Sequence, residues 1–336
     1  MNSPENKYLK KSPSSVEGFR EGSNLFAYRI SQLVGFLLGA RVFVTVLLTF
    51  ALYVSTFFLF NQEESLRNFV FDFRVHGIIF CAVLSILAGG IINQFYDREK
   101  DRITKPFRTR LQTFFKQKYF LYAYLLLNTV SLTVAFLISP RVFLFFLIYQ
   151  FVMWFYSHKL SKILILNNIT FVSLTLYPFF GMLVYYQTFS MKVFLMAVYI
   201  FLMLLIIDII KDTLTKNGDK VFGYTTIPNF FGKKVTNVIV VLLLIFAQLI
   251  SALVVSEKGL HGILSYYFAF SIFVQILSVY LVLLKTTHSN FINLNILRVW
   301  ILIGIFAMLA NGIQQKYELR NANYELRNAN YELRSR

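Results

Sequence analysis

Asn93, Asp97 and Asp101 fall at i, i+4 and i+8 in the stretch Asn93-Gln94-Phe95-Tyr96-Asp97-Arg98-Glu99-Lys100-Asp101. On a helix these positions share one face, with neighbours about 5–6 Å apart at Cβ. Like charges at that spacing destabilise a helix, so something cationic should sit among them. Asp208 and Asp212 repeat the i, i+4 spacing, and Asp219 follows in what reads as a polar loop from Lys216 to Pro228. Hard oxygen donors flanked by basic side chains suit Mg2+ bridging to phosphate oxygens. The carboxylates hold the metal, and Lys and Arg neutralise the phosphate charge that remains.

The elements that must position these acids are long and apolar. Runs at 42–60, 76–96, 119–138, 142–157, 163–186, 191–210, 237–255, 261–284 and 294–313 have about the length a spanning helix needs to cross some 30 Å of hydrocarbon. Ser139-Pro140-Arg141 separates two of them as a tight turn. Lys and Arg in the short loops divide twenty-three to five between the two sides when the N-terminus is placed in the cytoplasm. That bias sets the orientation and puts both acidic groups at the cytoplasmic rim. Acids at helix ends are often ordinary interface residues balanced by nearby Lys and Arg. Two groups at matching depth favour function instead, because ionisable residues near the bilayer are costly.

Composition supports the membrane reading. Charged residues are 15% of the 336, against about 25% in soluble proteins, and mean hydropathy is +0.60. Such a chain could not wet a soluble surface, and a bilayer accepts the excess apolar side chains. Disorder, collagen-like repeats and a disulfide scaffold are excluded by the same numbers; Cys81 is the single cysteine. The net charge of +17 lies between the apolar runs, so membrane lipid, and not nucleic acid, is the expected partner. No cleaved signal peptide is expected, since the first apolar run starts near Val34 behind a basic leader. The chain divides into a polar basic leader at 1–33, a membrane domain at 34–315 and a tail at 316–336. In that tail Tyr317-Glu-Leu-Arg-Asn-Ala-Asn repeats with a period of seven. Tyr and Leu there stand two apart, not at coiled-coil spacing, so the tail reads as low-complexity sequence without assigned function.

Asn93-x-x-x-Asp97-x-x-x-Asp101 followed by Lys105-Pro106 resembles the first aspartate motif of the UbiA-type intramembrane prenyltransferases. Lys211-Asp212 with Gly218-Asp219, Gly223, Thr226, Pro228 and Gly232 resembles their second motif and the loop after it. Tyr156-Ser157-x-x-Leu160-x-Lys162, with Asn168 beyond, resembles the stretch after the fourth helix. The three occur in the family's order at the correct helix ends, over roughly 41–315.

The resemblance implies an all-α, nine-helix membrane bundle with a central cavity open to lipid. It implies an Mg2+-dependent transferase that joins a prenyl group from an allylic prenyl diphosphate to a small hydrophobic or aromatic acceptor and releases pyrophosphate. Asn93, Asp97, Asp101, Asp208, Asp212 and Asp219 would hold metal, with Asp97, Asp101, Asp212 and Asp219 central to catalysis. Asn93, Lys105, Arg108, Tyr156, Lys162, Asn168 and Lys211 would bind substrate. Location in the plasma (inner) membrane with a cytoplasmic active site is expected; acceptor, prenyl length and oligomeric state are not set by the sequence. Physically, metal ions and fixed cations stabilise charge on the departing diphosphate. Aromatic faces stabilise the opposing carbocation; Tyr96 and Tyr156 are the rings expected near the site.

Some positions depart from the family pattern: Gln94 and Thr215 stand where it usually carries Asp, and Ser161 and Asn167 where it has Lys and Gly. A weakened binding protein is therefore one competing reading, predicting bound prenyl diphosphate without turnover. A transporter is another, but transporters place ionisable or broken-helix sites near mid-membrane, whereas here the acids collect at one rim. Arg41, opening the first span, is expected to snorkel to the headgroups, with reaching the diphosphate as the alternative. His76, His158, His261 and His288 are scattered without ligand spacing, and no Walker loop, dinucleotide fingerprint or nucleophile elbow is present.

Overall fold

Backbone amides cannot be satisfied by water inside a bilayer, so long apolar runs must close their hydrogen bonds within themselves as helices. The computed structural model describes residues 40–61, 65–104, 117–257 and 262–334, with 30, 34, 35, 37 and 38. The leader, apart from Ile30, lies outside the described residues, as do Lys105, Arg108 and His261.

Helix α1 spans Val42–Ser55 and ends in a π-helical turn, Thr56–Phe60. A short α2, Leu66–Val70, precedes α3, Phe73–Thr104. Then come α4 (Gln117–Ile138), α5 (Pro140–His158), α6 (Leu166–Tyr186) and α7 (Met191–Val221). Short α8 (Ile227–Phe230) leads into α9 (Gly232–Ser256), α10 (Ile263–Leu283) and α11 (Thr287–Arg334). Among the described residues nine helices are long and apolar enough to cross a membrane, one for each expected run.

Local chemistry sets the helix starts. Ser139 and Ser190 cap α5 and α7 by accepting from Val142 N and Val193 N, both at 3.2 Å, and Pro140 opens α5. Helices adjacent in sequence pack as neighbours: α3 with α4, α7 with α9, α9 with α10 and α10 with α11, which returns to α7. The inner faces bury Tyr149, Tyr199, Met203, Ile206 and Leu297, while Phe43, Leu137 and Phe194 stand exposed on the outer faces where lipid belongs.

Three differences from the sequence expectation bear on the site. Helix α3 continues past 96 to Thr104, carrying the whole first acidic group on one rigid element. Helix α7 likewise continues to Val221, so Lys216–Val221 is helical and not the expected loop; only Phe222–Thr226 connects to α8. The polar run stays helical because Gly218 and Asp219 are buried and Thr215 ties back to Asp219. Finally, α11 crosses the expected boundary at 315/316 and runs unbroken through the repeat.

Candidate active site

Close approach of helices at the level of the acids depends on two adjacent glycines of α3. A Cβ on Gly89 would lie 2.5 Å from Met153 Sδ of α5, and one on Gly90 would lie 2.8 Å from Ala40 O. These contacts hold α5 and the start of α1 against α3 one turn before Asn93. Nearby, Gln150 donates to Ser85 at 3.1 Å, and Ser85 pairs with Ser131 at 3.1 Å, fastening α5, α3 and α4.

The helical continuation of α7 puts Asp208, Asp212, Thr215 and Asp219 along one face. All three carboxylates are buried, as is Asp101 on α3. Asp208 and Asp212 share one amide: Asn168 Nδ2 donates to Asp208 Oδ2 at 2.8 Å and to Asp212 Oδ2 at 2.9 Å. Asn167 Nδ2 reaches Asp212 at 3.4 Å, and its own Oδ1 accepts from Tyr156 OH at 3.0 Å. Lys211 pairs with Asp208 and lies 3.7 Å from Asp212 Oδ1. This cluster therefore joins α5, α6 and α7, and its lysine supplies the cation that two carboxylates one turn apart require.

The two acidic groups meet through residues outside the expected site set. Lys100 of α3 places Nζ 2.6 Å from Asp219 Oδ1 of α7. Tyr224, in the connection after α7, donates its hydroxyl to Asp97 Oδ1 at 2.5 Å, and Lys100 sits over its ring at 3.8 Å. Lys162 lies 5.5 Å from the same ring, and Thr225 N donates to Lys162 O at 3.1 Å. Thr215 donates to Asp219 Oδ2 at 2.7 Å, so this departure from the family pattern buttresses a neighbouring carboxylate. Burial, together with the charge of Asp97, raises the Tyr224 phenol above its ordinary pKa.

Among the expected residues, the structure thus gathers Asp97, Asp101, Asp219 and Lys162 around Tyr224, and Asp208, Asp212, Lys211, Asn168 and Tyr156 around the α6–α7 cluster. Tyr156 lies within electrostatic reach of Asp97, Asp208 and Asp212 and so faces both groups. Asn93 is half-buried one turn before Asp97. Tyr96 instead packs edge-on against His158. Arg41 is half-buried, its Nε lacks a hydrogen-bond partner among the described residues, and it acts electrostatically on Lys211 and Tyr156. That placement suits the second of its two expected roles, and the residue before it, Ala40, packs against Gly90.

Among the described residues no three acidic, His or Cys side chains converge into a cage of their own. Mg2+ keeps several waters and binds through one or two carboxylates plus substrate phosphates. The donors fit it: hard carboxylate oxygens, with the buried Asn168 Oδ1 lacking any hydrogen-bond partner among the described residues.

The described residues thus form an all-helical bundle of membrane-spanning length in which the acidic ends of α3 and α7 meet. Residues 65–302 match the UbiA prenyltransferase family, and the chain belongs to it. A digeranylgeranylglyceryl phosphate synthase of Methanosphaera stadtmanae is 31% identical over 175 residues, 52% of this chain and 63% of that protein. The chain therefore spans less than two thirds of that curated relative's length. A solved structure described for a digeranylgeranylglyceryl phosphate synthase superposes with a TM-score of 0.64 at 20% identity, covering 84% of this chain and 99% of the other. A UbiA homologue from Archaeoglobus fulgidus bound to GPP and Mg2+ superposes with a TM-score of 0.59 at 16% identity, covering 82% and 99%. At these identities the superpositions establish the shared fold.

Proposed function

We propose that this protein transfers a prenyl group from an allylic prenyl diphosphate to a lipid-soluble or aromatic acceptor, with Mg2+, releasing pyrophosphate. The observation that carries this reading is the contact between the acidic helix ends, Lys100 to Asp219 and Tyr224 to Asp97. One diphosphate held between α3 and α7 is within reach of both groups.

Asp97 and Asp101 on α3 and Asp208, Asp212 and Asp219 on α7 would hold Mg2+, with Asn93 beside them. Bound there, the metal offsets charge on the diphosphate oxygens as the carbon–oxygen bond breaks. Asn168 and Tyr224 fix the carboxylates, and Lys100, Lys162, Lys211 and Arg41 supply fixed positive charge for the departing group. Lys105 and Arg108, outside the described residues, join this set by their resemblance to the family motif. The allylic carbon–oxygen bond breaks with its electrons on pyrophosphate, the acceptor's nucleophilic atom bonds the allylic carbon, and a proton leaves the acceptor. Tyr156, facing both acidic groups, offers a ring to the allylic cation.

The charge bias of the loops supports a cytoplasmic site in the plasma (inner) membrane, within the 34–315 domain. The synthase relative makes a prenylated glyceryl phosphate the first acceptor to try. The test incubates purified protein with labelled prenyl diphosphates and candidate acceptors, read by mass spectrometry and pyrophosphate release. Product should form with Mg2+, stop with chelator and return when Mg2+ is restored. Prenyl diphosphate that binds but never turns over with any acceptor would overturn the reading in favour of a binding protein.

A further inference from the structure

Away from the acidic groups, a groove of about 340 Å3 opens where α9 begins and α10 ends, lined by Lys234, Asn237, Val238, Val241, Leu242, Leu283 and Lys285. Its polarity is graded. Lys234, Val238, Val241 and Leu242 are spaced i, i+4, i+7 and i+8, one stripe of α9 running from the helix start toward mid-membrane. Leu283 and Lys285 repeat that order at the end of α10, with the cation beyond the apolar side chain. Val238, Leu242 and Leu283 are exposed toward the lipid side.

The cations here have no acidic neighbours in the sequence. Between Asp219 and Glu318 the single acid is Glu257, which follows the far end of α9, about 36 Å away for 25 residues at 1.5 Å each. Lys233 and Lys234 also occupy the first turn of α9, where the helix dipole disfavours positive charge and favours an anion. Lys233 Nζ donates to Lys285 O, holding Lys285 in a left-handed backbone conformation (φ 54°), and Asn237 donates to Val282 O at 3.0 Å. The two walls are thus tied together with Lys234 and Lys285 both at the mouth.

We propose that this groove binds an anionic phospholipid from the surrounding leaflet. The headgroup phosphate sits between Lys234 and Lys285, and one acyl chain lies along Val238, Leu242 and Leu283. Charge complementarity selects this occupant: a zwitterionic lipid would bring a quaternary ammonium to a cluster that is wholly cationic. Basic pockets between membrane helices bind anionic headgroups on this principle.

The test is native mass spectrometry of delipidated protein titrated with phosphatidylglycerol or phosphatidylcholine of matched chains. Phosphatidylglycerol should bind one molecule at least tenfold more tightly than phosphatidylcholine. Binding should weaken about fivefold for each of Lys234→Gln and Lys285→Gln. Val238→Phe should expel the lipid while leaving both cations, and it decides the matter if the doubly substituted protein does not fold. Millimolar glycerol phosphate or inorganic phosphate should not displace the lipid. Equal binding of the two lipids, wild-type affinity in the variants, or displacement by free phosphate would each overturn the proposal.

Discussion

Tyr224→Phe removes one oxygen and tests whether the contact between the acidic helix ends matters to turnover. The ring stays under Lys100 at 3.8 Å, while the donor to Asp97 at 2.5 Å is lost. A hydrogen bond to a charged group contributes about 1.5–3 kcal/mol. Tyr224 is buried but Asp97 is only half-buried, so water can replace the hydroxyl and the lower end applies. At about 1.4 kcal/mol per tenfold, kcat/KM for the prenyl diphosphate should fall roughly tenfold. The loss should shrink as Mg2+ is raised, because a loosened Asp97 binds the metal more weakly. Tyr224→Ala also removes the cation–π contact, about 0.5–2 kcal/mol more, and should lose a further few-fold. Steady-state rates across an Mg2+ titration in matched nanodiscs measure both. Wild-type rates for Tyr224→Phe at every Mg2+ concentration would refute the reasoning, as would tighter Mg2+ dependence.

Asp97→Ala and Asp212→Ala should each abolish turnover while membrane insertion stays intact; retention of activity by both would remove the carboxylates from the chemistry. Asn168→Ala strips the shared amide from two buried carboxylates, and a loss of at least a hundredfold in activity is expected from two charge-assisted hydrogen bonds of about 1.5 kcal/mol or more each. Thr215→Val, which keeps the shape of the side chain but not its donor to buried Asp219, should cost roughly tenfold in kcat/KM and lower the melting temperature by a few degrees. Gly89→Val drives a side chain into Met153, and overpacking of about 1–3 kcal/mol should lower the melting temperature by several degrees in a thermal scan.

The membrane helices were legible because spanning length is a property of consecutive residues, and each expected run became one helix. The acids were legible for a related reason: i, i+4 spacing fixes which side chains share a helix face before any packing is known. What the sequence hid was the contact across the bundle. Tyr224 and Asp97 are 127 residues apart, and no period links them. Lys216 to Pro228 reads as a loop because its residues are polar, whereas burial of Asp219 and its bond from Thr215 keep α7 helical to Val221. Arg41 keeps two readings in the sequence, because a cation at a span's end can reach either headgroup or site, and only its burial separates them.

Lys100 and Lys211 already occupy the carboxylates that a substrate complex would share. On the proposed function, arrival of a diphosphate would be a trade of partners: each ammonium would transfer from an aspartate to a phosphoryl oxygen as the aspartate takes up its new ligand. Each such exchange would break one ion pair and form two, so substrate capture should weaken as ionic strength rises.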